Sequence, residues 1–186
     1  IAYDKIFHEK RLVHVSLEEG VEKVTSFYDS IYYDLVKSSN FTDDYTHREL
    51  IEKNRIILAF LNQSFDVERL CTGLKNISAN LAFRPDTLIV DGIDFERADR
   101  ALFERFKQIA GEFKMEVWFS ALSHRHIDKV NKRGIPYPCH DLDDLFSLII
   151  QLRSESDGIF LRLTGCPMST NTFTTKNLLN TNTLLV

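Results

Sequence analysis

Four short apolar runs, separated by stretches with helical periodicity, constrain this chain more than any other feature. Arg11 to Leu17 (RLVHVSL), Arg55 to Leu61 (RIILAFL), Thr87 to Asp91 (TLIVD) and Glu116 to Leu122 (EVWFSAL) have the length and branched apolar content of strands. Between the first two, Val21, Val24, Tyr28, Ile31 and Leu35 recur at spacings of three and four, which predicts an amphipathic helix over Glu18 to Lys37. Asn40 to Asn54 is polar and reads as a loop with a short helix. Asp66 is placed to cap a helix whose stripe is Val67, Leu70, Leu74, Ile77 and Leu81. Glu96 to Phe113 carries Leu102, Phe106, Ile109 and Phe113 on one face. Strands that alternate with helices need crossover connections, so the expected fold is α/β, a mostly parallel sheet flanked by helices on both faces.

Beyond Ser123 the pattern changes. Arg125 to His140 (RHIDKVNKRGIPYPCH) is polar, holds two prolines and a glycine, and reads as an excursion loop. Leu145 to Arg153 and Gly158 to Thr164 flank the acidic turn SESD, which predicts a C-terminal antiparallel hairpin added to the sheet. Residues 166–186 form an irregular tail rich in Thr and Asn whose closing TLLV suits an edge strand. A chain of 186 residues with 44% hydrophobic content supports one domain with a real core, and residues 1–186 are read as that one domain.

Composition narrows the function classes. With 27 acidic against 23 basic residues, the chain has no general attraction for a phosphate backbone, so nucleic-acid binding would need a local basic patch. Three cysteines, Cys71, Cys139 and Cys166, form no C-x-x-C pair, which argues against a disulfide framework or a cysteine-built zinc site and fits a cytoplasmic location. No apolar run approaches the roughly 20 residues that span a bilayer, so no membrane association is expected.

The chemistry-bearing candidates are acids at strand ends. In TLIVDGIDFE, Leu88, Ile89 and Val90 suit a strand covered on both faces, and Asp91 emerges where a crevice opens. A carboxylate there can hold Mg²⁺, a hard cation that takes oxygen ligands at about 2.0–2.1 Å and keeps several waters. Glu18 and Glu19 follow the first strand, and they reach the same crevice if that strand neighbours TLIVD. A water could be oriented or deprotonated there. Each has a plainer reading. Asp91 could cap the next turn, and Glu18 and Glu19 could be first-turn acids favoured by the helix dipole. The His124, Arg125, His126 cluster has no zinc spacing and reads as a solvated loop. Cys139 and His140 lack a third partner for nucleophilic chemistry. The stripe Phe27, Tyr28, Tyr32 and Tyr33 reads as core and subunit contact before it reads as a base-stacking platform.

As an ordered set these pieces resemble the RecA-like ATPases, in the branch of the hexameric replicative helicases and the KaiC-type ATPases. VSLEE at Val15 to Glu19 is similar to the segment with the family's catalytic glutamate, LIVDGID at Leu88 to Asp94 to Walker B, and VWFSALSHR at Val117 to Arg125 to the sensor strand. The resemblance covers most of the chain from Arg11 to Thr164. It implies binding and hydrolysis of ATP with Mg²⁺ in a homo-oligomeric ring or filament. Glu18 would position the water, with Glu19 beside it, and Asp91 would be the metal-associated acid. Ser120 or Ser123 would stand in for the sensor, since Ala121 takes the place of the glutamine after the serine. Arg125, Lys129, Lys132 and Arg133 lie where a neighbouring subunit's cation would arise, a contribution worth roughly 10³ to 10⁵ in rate where one is used. The family's phosphate loop, G-x-x-x-x-G-K-[ST], occurs nowhere in the 186 residues and is expected just before Ile1. The alternative is a non-catalytic scaffold of the same fold that oligomerises and binds a protein partner. DNA translocation follows from family analogy alone.

Overall fold

The computed structural model describes residues 1–38, 44–60, 65–123, 127–155, 158–165 and 176–179, with backbone alone for 44, 155 and 176–179. The chain divides into two compact units, Ile1–Leu122 and Ser123–Val186.

In the first unit, four strands form an all-parallel sheet: β1 (Leu12–Ser16), β2 (Arg55–Ala59), β3 (Thr87–Asp91) and β4 (Glu116–Phe119), in the order β2-β1-β3-β4. Helices α1 (Ala2–Phe7), α2 (Val21–Ser38) and α3 (Asp44–Asn54) precede β2, while α4 (Val67–Asn80) and α5 (Arg100–Phe113) lead into β3 and β4. In register, Leu12, His14 and Ser16 sit opposite Thr87, Ile89 and Asp91 and share one face. On that face Leu12 clusters with Tyr3, Ile6, Val24, Tyr28, Tyr32 and Ile51, so α1, α2 and α3 cover it. Val13, Val15, Leu88 and Val90 take the other face and are fully buried. Phe119, opposite Val90, meets Phe103 and Phe106 of α5 there, with ring centroids 5.6 and 5.0 Å away. Helices thus flank both faces of the parallel sheet, as the alternating pattern predicts.

Local chemistry sets the helix ends. The Asp66 carboxylate accepts from the Arg69 N–H at 2.8 Å, the N-cap expected of it. The next helix starts later than its periodicity suggests, at Arg100 instead of Glu96. Asp94 first closes a turn by accepting from the N–H groups of Glu96 and Arg97, and Asp99 then caps α5 through the Leu102 N–H at 2.9 Å.

The second unit holds a three-stranded antiparallel sheet, β5 (Leu148–Glu155), β6 (Gly158–Gly165) and β7 (Lys176–Leu179), with β6 central. The predicted hairpin is there, but it pairs with β7 in a sheet of its own and does not extend the parallel one. Residues 176–179 take the outer edge that the sequence suggested for TLLV, which lies outside the described residues. Preceding this sheet, Asn131 organises a tight turn: its Oδ1 accepts from the Arg133 and Ile135 N–H groups, and its Nδ2 donates to the His140 carbonyl. Gly134, at φ +75°, faces the Arg162 guanidinium so closely that a Cβ there would lie 2.8 Å from Nη1.

Candidate functional site

The two central strands part at a topological switch point. From β1 the chain crosses the α1–α3 face to reach β2, whereas from β3 it crosses the α5 face to reach β4 on the opposite side. The crossovers diverge, so a crevice opens between the carboxyl ends of β1 and β3, where open α/β sheets bind ligands.

Two of the three candidate acids, Asp91 and Glu18, lie at this crevice. Ser16 is in register with Asp91, and the Leu17 N–H donates to the Asp91 carbonyl at 3.0 Å, which ties the exit of β1 to the exit of β3. Gly92 follows at φ +85°, a conformation that favours glycine. A Cβ built on it would meet Glu18 Cγ at 2.9 Å and Cδ at 3.3 Å. The Glu18 side chain therefore lies along the backbone next to Asp91, in space that only glycine leaves free. The Ser120 hydroxyl, at the exit of β4, donates to Asp91 Oδ1 and fixes that carboxylate from the side away from β1. Glu19 is exposed, and its N–H donates to Ser16 Oγ at 3.0 Å, which closes the turn before α2. Asp91, Glu18 and Ser120 are thus brought together at the ends of neighbouring strands, since β1 does neighbour β3.

Other candidates fall elsewhere. Ser123 is an exposed residue that opens the second unit. Arg125, with His124 and His126, lies outside the described residues. Arg133 is engaged within its own unit, paired with Asp143 Oδ2 at 2.6 Å and donating to the Gly165 carbonyl. Lys129 stands over the Tyr137 ring, 5.9 Å from its centroid. Burial pushes the Cys139 thiol up to about 11, so it holds its proton and is a poor nucleophile at neutral pH. His140 faces Asp141 at 3.1 Å.

Beneath the crevice, on the α1–α3 face, the core residue Tyr28 belongs to a polar group with His14, to which periodicity alone assigns no role. His14 Nδ1 lies 3.0 Å from the Tyr28 hydroxyl, and the Arg55 guanidinium stacks on the Tyr28 ring at 4.4 Å. Burial lowers the His14 pKa below 6.5; Asp91 opposes that shift and Arg55 adds to it, so the imidazole is neutral at pH 7. Burial likewise raises Tyr28, which keeps its proton. A signal was available: in LVHVS, strict alternation puts His14 on the face of Leu12 and Ser16, which the α2 stripe with Tyr28 must cover.

Among the described residues no group of three or more His, Cys, Asp or Glu side chains is arranged to hold a metal ion. One carboxylate, with substrate phosphates and water as the remaining ligands, is nonetheless the usual provision for Mg²⁺, and Asp91 with its Ser120 donor fits that pattern. Among the described residues, no helix is long and apolar enough to cross a membrane. Comparison with protein-family models finds no matching family, and comparison with curated proteins finds no match.

Proposed function

We propose that this chain is the RecA-like core of an ATPase that binds ATP with Mg²⁺ and hydrolyses it in a homo-oligomer. The observation that carries the reading is the convergence of Glu18 and Asp91 at the switch-point crevice, where the Glu18 carbons lie over Gly92. Phosphoryl transfer to water leaves a protein mainly positioning and electrostatic work. Bound Mg²⁺ supplies neutralisation of phosphate charge. Asp91, oriented by the Ser120 hydroxyl, would hold that ion or one of its waters. Glu18 orients a water at the mouth of the crevice and accepts its proton. Glu19 stands beside it with its backbone committed to the turn. Ser120 serves Asp91 here, so a sensor role falls to it only through that carboxylate; Ser123 and Arg125 are the further candidates for contact with the nucleotide. A ring or filament in the cytoplasm is the setting this reading implies.

ATP turnover by the full-length protein tests the proposal. Glu18→Gln should lower kcat by roughly 10² to 10⁴, the usual contribution of a positioned general base, while ATP affinity stays within about twofold. Asp91→Ala should abolish Mg²⁺-dependent turnover. A wild-type rate that is indifferent to Asp91→Ala would instead support the scaffold reading, which Ala121 after Ser120 in the sensor strand favours. In that case the protein oligomerises and binds a protein partner without nucleotide chemistry.

A further inference from the structure

The turn that carries Glu18 and Glu19 joins β1 to α2, and a buried polar contact bridges its two limbs. His14 on β1 and Tyr28 on α2 meet at 3.0 Å between Nδ1 and the hydroxyl, with the rings edge to face and 5.6 Å apart. Tyr28 is itself held from two further directions. The Tyr3 hydroxyl of α1 donates to the Tyr28 carbonyl at 2.6 Å, and Arg55 of β2 lies on its ring. Four elements therefore meet on one tyrosine directly below the acidic turn. The opposite sheet face, by contrast, holds its helices with apolar side chains alone at the strand positions Val13, Val15, Leu88 and Val90.

An apolar pair could anchor α2 as firmly without burying polar atoms, and the cost here is visible: His14 Nε2 is buried and makes no hydrogen bond. A hydrogen bond adds direction, which apolar packing lacks. It fixes the position of a helix along its axis to a few tenths of an ångström. One residue of slippage in α2 would move its start by about 1.5 Å and lift Glu18 from Gly92.

We propose that His14 and Tyr28 are positioning residues, a polar clasp that sets the height of the β1–α2 turn and so holds Glu18 over the Asp91 strand end. Its kinetic consequence rests on the hydrolysis reading above; its structural consequence does not.

Site-resolved amide hydrogen exchange on the full-length protein tests the clasp. The Leu17 and Glu19 N–H groups donate to the Asp91 carbonyl and to Ser16 Oγ, whereas Phe60 and Ser120 donate at the neighbouring strand exits to Ser16 and Val90 carbonyls. In Tyr28→Phe and His14→Phe, exchange at Leu17 and Glu19 should quicken about tenfold while Phe60 and Ser120 keep their wild-type rates. His14→Gln, which keeps an acceptor for the tyrosine hydroxyl, should restore most of the protection. Equal acceleration at all four amides marks a general loss of stability and overturns the clasp, as does no change at Leu17 and Glu19. In turnover assays, kcat should fall in His14→Phe with KM unchanged and recover in His14→Gln. A wild type that turns over no ATP overturns the hydrolysis reading, and the exchange pattern then decides the clasp alone.

Discussion

On the α4–α5 face of the parallel sheet, Val13, Val15, Leu88 and Val90 are sealed from solvent and Phe119 meets two phenylalanines of α5. On the α1–α3 face, the rung above Leu12 is His14, bonded to a tyrosine that carries an arginine on its ring. The first face uses only the burial of apolar surface, which is strong and has no direction. The second adds buried polar contacts, which contribute little net stability but define a geometry. Asp91 sits at the rim of the second face, on the side of Ser16 and His14. Apolar packing thus holds both faces of the sheet, and the buried polar contacts that define a geometry lie on the side of Asp91.

The sharpest way to break this division is to truncate the apolar side. Phe106 is 1% exposed and touches Phe119 and Phe65, so Phe106→Ala should cost about 3–5 kcal/mol in denaturant unfolding. Where the variant remains folded, the Leu17 and Glu19 amides should keep their protection relative to the rest of the sheet. A selective loss at those two amides would mean that the faces are not independent.

A middle-sized effect concerns acid. The folded-state pKa of His14 is depressed below the 6.5 of a free imidazole, so the unfolded chain binds more protons as the pH falls through that value. The stability that His14 contributes is present above about pH 6.5 and is lost progressively below it, down to the depressed pKa. The groups facing it are Tyr28, Arg55 and Asp91. His14→Phe should therefore flatten the dependence of unfolding free energy on pH below 6.5. An unchanged slope would remove His14 from the acid response.

The smallest effect is on the outer surface of the apolar side. Arg105 of α5, half-buried, bridges to Glu68 of α4 and to Glu112, both exposed. Its pairing holds the Glu68 carboxyl below its ordinary range, yet Arg105→Ala should shift the unfolding midpoint only slightly at low salt and not measurably at high salt. A large shift at high salt would show that the bridge acts through packing.

Much of this arrangement was legible in the residues. TLIVD and the α4 stripe are unambiguous because a buried parallel strand and an amphipathic helix each have a strong period. Asp91 was identifiable as a crevice acid for the same reason: it is the first charge after a run that must be covered on both faces. The adjacency of β1 and β3, on which Glu18 depends, could be stated only as a condition, since strand order arises from long-range pairing that leaves little local trace. The late start of α5 escaped notice because Asp94 and Asp99 are both good caps five residues apart, and periodicity cannot choose between them. The hairpin's separate sheet escaped for a related reason: alternation identifies strands without saying which edge they join. His14 was passed over because a lone histidine between valines is ordinary until its partner is known.

Gly92 also supplies a rule for reading other sequences. Because Glu18 occupies the volume that any Cβ at this position would need, the two sites are sterically coupled across 74 residues of chain. A protein with this backbone that bears a larger side chain after the β3 aspartate must have turned its glutamate away, and with it the proposed water. The pair Glu and Gly, read together, is therefore a compact test of whether a sequence of this architecture keeps the geometry proposed here for hydrolysis.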